Sequence, residues 1–548
     1  MRENPLGEII RIQRLLNKTR LLVACVFIFS VVAHLPYLIP GGPCLRYPSP
    51  LPLTIDEGTV LYDSFRITCG EVIYRDFFQF QGPVFYHIYA GLFALTGPSI
   101  TAARTLNLFI TALTATFIAL LVSRKLGFLA GAGAAAVHAC LLVPTWPYTY
   151  PHWLAEAFAL VGVYILTTSS GRARRELVGG VFLGLSAATI HSLGLPILAG
   201  CMVALATQGI GQRSWRQACL PPLRVFAGAS LAVAPFIIYL GALRALDQMW
   251  YGMFEWVFTH YPEGQKEAAM QGYGAHLESY IIAHAEVSRP WRDLAVMALR
   301  FIKFLPVFAI WGAITQTAQV VIGMRRRLLD YDYPVIAAAA IAGIAPLFLG
   351  VTRADIVHIA FVGSFGLCGM ALALQPLVIW KPRLHLPAIV LVLVGIVAIG
   401  NFSAKTVKTY RSSRAMLDWR GEILRLGMGR WIDINLRPDE RIVTAHGGLQ
   451  YLYIRRAAVG FTFLPHGSPT YYSNDQWQEM GGQIFKARPS VIEVTVEQWL
   501  ELTKRTPALT ELYKIIAFGY KRDSLKTSQN QRSTSDPQER LLLRLSGY

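Results

Sequence analysis

Apolar runs recur along this chain from Leu21 to Gly400, many of them close to the roughly 20 residues a helix needs to cross a bilayer. Lipid offers no partner for a backbone N–H or C=O. A continuous run of that length therefore commits the chain to helix, where each group bonds within its own segment. A membrane barrel is excluded, because barrel strands alternate apolar and polar residues. Composition agrees: 53% of the 548 residues are hydrophobic and 15% charged, against about a quarter charged in a soluble domain. The expected fold class is a polytopic all-α membrane protein.

Charge then orients the helices. The formal net charge is +18, carried in short clusters at Arg11 to Arg20, Arg124–Lys125, Arg172 to Arg175, Arg213 to Arg224, Arg325 to Arg327 and Lys381 to Arg383. This is the positive-inside pattern of membrane topology, and it argues against a nucleic-acid partner. If the stretch 83–97 crossed the membrane, Arg124–Lys125 would be forced outside. Laid along the outer surface as a juxtamembrane helix, it leaves every basic cluster inside. Spans are then expected at about 21–40, 101–122, 126–143, 152–168, 177–191, 194–208, 225–243, 296–322, 334–351, 356–375 and 386–402. That is about eleven, with a cytoplasmic N-terminus and an external C-terminus. The run from Leu21 to Pro40 is too long for a signal peptide and lacks a small-residue cleavage site, so it reads as an uncleaved anchor. The pair 177–208 reads as a short hairpin broken by His191, Gly194 and Pro196.

Two domains are expected, a transmembrane one over 1–402 and a small extracytoplasmic α/β domain over 403–548. In the second, 410–436 is helix-like, while RIVTA, PSVIEVT, YKIIAFGY and LLLRL resemble strands. Residues 521–539 read as a loose polar loop. Seven cysteines are scattered with no metal-binding spacing. Cys44 and Cys69 share the first outer loop, where a disulfide is one reading and two unpaired thiols the other.

Ionisable residues concentrate on the outer face. The first outer loop carries TIDEGTVLYDSFRITCGEVIYRDFFQFQGP, residues 54–83. Its tyrosines Tyr62 and Tyr74, and Tyr86 just beyond it, read as surface rather than packing material. A carboxylate at the water–lipid boundary can take a proton from an attacking hydroxyl. Asp56 is accordingly a candidate general base, with Glu57 orienting an acceptor or a metal; the alternative is a solvated or helix-capping pair. Tyr74, Arg75, Asp76 and Gln81 offer the aromatic faces and planar polar groups that suit sugars, though an aromatic membrane belt has similar composition. His152 and Glu156 stand one helical turn apart, a candidate metal pair. His191 lies at the expected helix break. In the turn VTRADIVH, Arg353 could hold a lipid phosphate with Asp355 and His358 beside it, or an Arg–Asp pair could simply close the turn.

These residues together resemble the GT-C glycosyltransferases, and within them the bacterial branch related to protein O-mannosyltransferases and lipid A aminoarabinose transferases. The likeness lies in residues 56–104: an acidic pair opening the first outer loop, a Gly-Pro juxtamembrane helix, then Ala-Ala-Arg before the second span. The resemblance implies a cell-envelope transferase in the bacterial inner membrane. It would use a polyprenyl-phosphate-linked sugar, usually with inversion, and a lipid, glycan or protein acceptor. Asp56 would then be the base, Glu57 its neighbour, and Glu156 the acidic residue of the second outer loop. The chain departs from the aminoarabinose branch in carrying Gln81-Gly82-Pro83 where that branch has Glu-Lys before Pro-Pro. No cofactor is therefore fixed, and use of a divalent metal ion stays open. Two rivals are a transporter or flippase of lipid-linked saccharides and an inert scaffold.

Overall fold

The computed structural model describes residues 5–38, 55–168, 172–260, 272–275, 277, 289–326, 332–349, 352–380, 386–412, 419–424, 429–444, 448–454, 456–462, 471–495, 520–523 and 540–545. Helices dominate, in the order α1 (Pro5–His34), α2 (Ile55–Thr68), α3 (Pro83–Thr96), α4 (Ile100–Leu126), α5 (Phe128–Val137), α6 (Pro151–Thr167), α7 (Ala173–Ala187), α8 (His191–Gly211), α9 (Trp215–Ala242), α10 (Leu246–Trp250) and α11 (Trp256–Thr259). Then follow α12 (Arg289–Arg326), α13 (Asp332–Phe348), α14 (Ile356–Phe361), α15 (Gly363–Trp380), α16 (Leu386–Ser412), α17 (Trp419–Leu424), α18 (Gly429–Asn435), α19 (Gly448–Tyr453) and α20 (Asn474–Ala487). Four strands complete the chain: β1 (Ile442–Thr444), β2 (Val491–Thr495), β3 (Tyr520–Asp523) and β4 (Arg540–Leu545).

The chain forms two compact units. The first comprises residues 1–52, 104–237 and 268–415; the second comprises 53–103, 238–267 and 416–548. Among the described residues, six helical stretches are long and apolar enough to cross a membrane: Asn17–Leu38, Ile100–Leu126, Phe128–Thr145, His191–Gly211, Trp215–Ala242 and Val296–Gln319. The protein is an integral membrane protein. Shorter apolar helices lie at Pro83–Thr96, Pro151–Thr167, Val335–Phe348 and Ile389–Ser403. At 14 residues, α3 is about 21 Å long, less than the ~30 Å of hydrocarbon in a bilayer.

In the first unit, packing depends on small residues that let helix backbones meet. A Cβ on Gly312 of α12 would collide with the backbone of Gly369 in α15, the close approach that membrane helices use in place of a hydrophobic drive. The hairpin expected to break at His191, Gly194 and Pro196 turns earlier, between Ala187 and His191, and all three residues belong to α8. The reason is again steric. Gly194 marks where α8 presses on the end of α7, since a Cβ there would strike the backbone of Ser186 and Ala187. Pro196 forfeits only one backbone bond near the helix start.

The second unit contains a four-stranded mixed sheet of order β1-β2-β4-β3. β1 and β2 are parallel with Val443 opposite Ile492, β2 and β4 are antiparallel with Ile492 opposite Leu543, and β3 pairs antiparallel with β4. β3 corrects the expectation that 521–539 is loop from its start. Its sequence Tyr-Lys-Arg-Asp is that of an edge strand, where charges blunt unwanted pairing, and that polarity disguised it. Residues 524–539 and most of YKIIAFGY lie outside the described residues, as does Cys44. Cys69 is exposed. Within 410–436, α16 runs on to Ser412 and two short helices, α17 and α18, follow. Helix α20 begins with a reciprocal cap between Ser473 and Gln476.

Candidate functional site

In the second unit, Asp56 and Glu57 fill the first turn of α2, where unsatisfied N–H groups favour negative charge. Asp56 is half-buried and Glu57 fully buried. The turn is fixed from behind by a backbone crossing. Gly448 of α19 lies so close to Gly58 that a Cβ on either would collide with the other helix.

Seven residues on, two helical turns along the same face, α2 places a carboxylate that the sequence reading passed over. Asp63 is completely buried. It accepts hydrogen bonds from Gln79 Nε2 at 2.7 Å and from the Thr462 hydroxyl. Burial pushes its pKa up to about 6, against the pull of nearby Arg66 and those two donors. Arg66 is already engaged: it pairs with Glu71 at 2.6 Å and donates to the Val459 carbonyl at 3.1 Å. Helical spacing from Asp56 was the available signal for Asp63.

The three tyrosines expected on a surface are packing residues. Tyr62, Tyr74 and Tyr86 are each at most 5% exposed. Each hydroxyl has a partner, which makes burial of the ring affordable: Tyr62 accepts from the Ala457 amide at 2.9 Å, Tyr74 donates to the Gln81 carbonyl at 2.6 Å, and Tyr86 donates to Gln81 Oε1 at 2.8 Å. Gln81 thus serves two tyrosines. Tyr74 holds a positive φ of 71°, a conformation that costs a bulky residue on the order of 1–3 kcal/mol. The loop after it is closed by Asp76, whose carboxylate accepts from the Val72 amide at 2.7 Å and from Arg75 at 2.9 and 2.8 Å. The Arg75 hydrogen bonds hold the Asp76 carboxyl below its ordinary range. Tyr74, Arg75 and Asp76 line a cavity of about 210 Å³.

The first unit gathers the other candidates. Glu156, fully buried in α6, accepts from the Ser364 hydroxyl, and His138 Nε2 lies 3.8 Å from its other oxygen. His138 begins a single π turn, His138–Leu142, an irregularity often found where a helix carries function. His152, one turn before Glu156, instead stacks on Phe361 with ring centroids 4.5 Å apart and on Tyr150 at 5.3 Å. His358 meets both His152 and Phe361 edge-on, at 6.0 and 5.9 Å.

Asp355 caps α14, accepting from the His358 amide at 2.9 Å and bonding His358 Nδ1 at 2.8 Å. Burial alone would push the Asp355 carboxyl up, but His358 and Arg353 hold it well below the usual carboxylate range. The pair closing this turn is therefore Asp–His. Arg353 keeps a buried Nε that makes no hydrogen bond among the described residues. His191 is buried at the start of α8. His152 and Glu156 share a helix face yet have separate partners, and no three His, Cys, Asp or Glu side chains among the described residues are grouped to hold a metal ion. The expected metal pair, His152 with Glu156, is therefore held by two different sets of neighbours.

No protein-family model matches the chain, and no curated protein matches it. Solved structures do. The Archaeoglobus fulgidus oligosaccharyltransferase, in a crystal structure with Zn and sulfate, aligns at TM-score 0.50 and 14% identity over 92% of this chain and 72% of its own. ArnT from Cupriavidus metallidurans, bound to undecaprenyl phosphate, aligns at TM-score 0.42 and 14% identity over 95% of this chain and 97% of its own. At such identities the likeness is one of fold alone: the chain shares the fold of the oligosaccharyltransferase.

Proposed function

We propose that the protein is a membrane glycosyltransferase that moves a sugar from a polyprenyl-phosphate donor to an acceptor hydroxyl on the extracytoplasmic face, with inversion. The observation that carries this reading is the acidic first turn of α2, with Asp56 reaching solvent and Glu57 buried behind it. A polyprenyl-phosphate donor is the class implied by the resemblance carried by residues 56–104, and a fold shared with an oligosaccharyltransferase is compatible with it.

In this mechanism Asp56 accepts the proton of the acceptor hydroxyl as its oxygen attacks the sugar's anomeric carbon. The bond from that carbon to the phosphate oxygen breaks in the same displacement, and the lipid phosphate leaves with the electron pair. Phosphate needs no proton to leave, so one base suffices. In the first unit, Arg353, whose buried Nε makes no hydrogen bond among the described residues, has the guanidinium geometry that suits a phosphate. The His358–Asp355 pair keeps the turn carrying Arg353 in place.

Sugar transfer from a native lipid extract to a fluorescent or radiolabelled acceptor tests the reading. A positioned general base contributes about 10²- to 10⁴-fold, so Asp56→Asn should lose at least two orders of magnitude in turnover while the donor still binds. Full turnover in that variant removes Asp56 from the mechanism. Lipid-linked sugar crossing vesicle membranes with no transfer product would replace the enzyme by a flippase.

A further inference from the structure

The second unit carries a cavity that no step above uses. Its volume of about 210 Å³ is below the roughly 300–1,000 Å³ of drug-sized pockets, room for one small ring and not for a lipid chain or a folded peptide. Arg75, Asp76 and Gln79 contribute to its lining. Further lining comes from segments far away in sequence, with Gln248 and Tyr251 after α10 begins and Gln476, Glu479 and Gln483 on α20.

The chemistry of this lining is selective. Planar amides present donors and acceptors together, as a ring of hydroxyls requires, and half-exposed Tyr251 and Phe78 give flat faces for the C–H side of such a ring. Among the described residues Arg75 is the one cation in the lining, and Asp76 already engages it through two hydrogen bonds. Glu479 then leaves the lining negative, which disfavours phosphate, sulfate and acidic sugars. Its carboxyl, pushed up from the ordinary value by burial, accepts from Gln483 Nε2 at 2.9 Å. Gln248 is exposed on its short helix.

The site is also built to stay open. Gln483 Oε1 accepts from the Gly460 amide at 2.6 Å, the Gly460 carbonyl accepts from Phe78 N at 3.0 Å, and Tyr251 donates to the Ser473 hydroxyl at 3.2 Å. Behind the wall, Gln79 is locked onto buried Asp63, and the strained Tyr74 backbone sets the direction of the loop.

We propose that this cavity binds a single neutral or amino saccharide unit, through Gln248, Glu479 and the face of Tyr251, and so selects a glycan as the acceptor. The assignment of an acceptor rests on the glycosyltransferase reading; saccharide binding does not.

Binding is measured without donor, by saturation-transfer NMR and titration calorimetry on the detergent-solubilised full chain. The probes are methyl glycosides of neutral hexoses, amino hexoses and hexuronic acids, with inorganic phosphate as a further arm. Saturable binding of a neutral or amino glycoside is expected, weakened at least tenfold by Gln248→Ala and by Tyr251→Ala. Gln248 is exposed and takes no part in the core, so its variant separates loss of the site from loss of the fold. Absence of saturable binding, binding untouched by Gln248→Ala, or preference for phosphate or hexuronic acid would each overturn the site. Transfer activity that persists without saccharide binding removes the cavity alone, and saccharide binding without transfer removes the glycosyltransferase alone.

Discussion

Asp63 shows how one buried carboxylate ties stability to pH. Its pKa rises from 3.8 to about 6 on folding, so between those values the folded chain holds a proton that the unfolded chain has released. Its contribution is fully present below about pH 4 and is lost as pH rises through 6. A shift of this size corresponds to on the order of 3 kcal/mol at neutral pH. Thermal melts of purified wild type and Asp63→Asn should therefore differ at pH 7, with the variant more stable, and converge towards pH 4. A gap independent of pH would show that Asp63 is not titrating there. Asp56, Glu57, Arg353 and Asp355 could be singled out from sequence because charge beside apolar runs is conspicuous. The tyrosines misled for a related reason: whether a hydroxyl is satisfied depends on partners such as the Ala457 amide, which no local pattern announces.

Between elements, the crossing of α2 and α19 is the point most sensitive to added volume. Gly448 meets the Gly58 carbonyl directly, with backbone and not a flexible side chain on the other side. Gly448→Ala must push the two helices apart, at a cost of about 1–3 kcal/mol typical of overpacking. The melting temperature should fall by several degrees, and turnover should fall with it, because the acidic turn precedes Gly58 by one residue. An unchanged melt would mean that the helices are not so closely apposed. Helices such as α4, α6 and α12 were legible because hydropathy and length are local properties. The pairing of α2 with α19 was not, since glycine marks a close approach without saying to what. Edge strand β3 was missed because its charges, useful against stray pairing, look like loop.

For the whole molecule, the distribution of basic residues makes a topological prediction. Single cysteines replacing Arg174 or Arg216 should react with an impermeant thiol reagent only after cells are opened. One replacing Phe485, exposed on α20, should react in intact cells. The reverse pattern would move Asp56, which belongs to the same compact unit as α20, to the cytosol and end the extracytoplasmic reading. That unit also sets a timetable for biosynthesis. The Tyr62 hydroxyl and its Ala457 partner are 395 residues apart, a gap a ribosome emitting about 5–20 residues per second takes roughly 20–80 s to cover. Throughout that interval the newborn first loop must wait, its arginine and aspartate lacking their eventual company, while the intervening spans enter the bilayer. A message cut short before the final quarter would therefore yield no half-working protein, only an anchored fragment for quality control to clear.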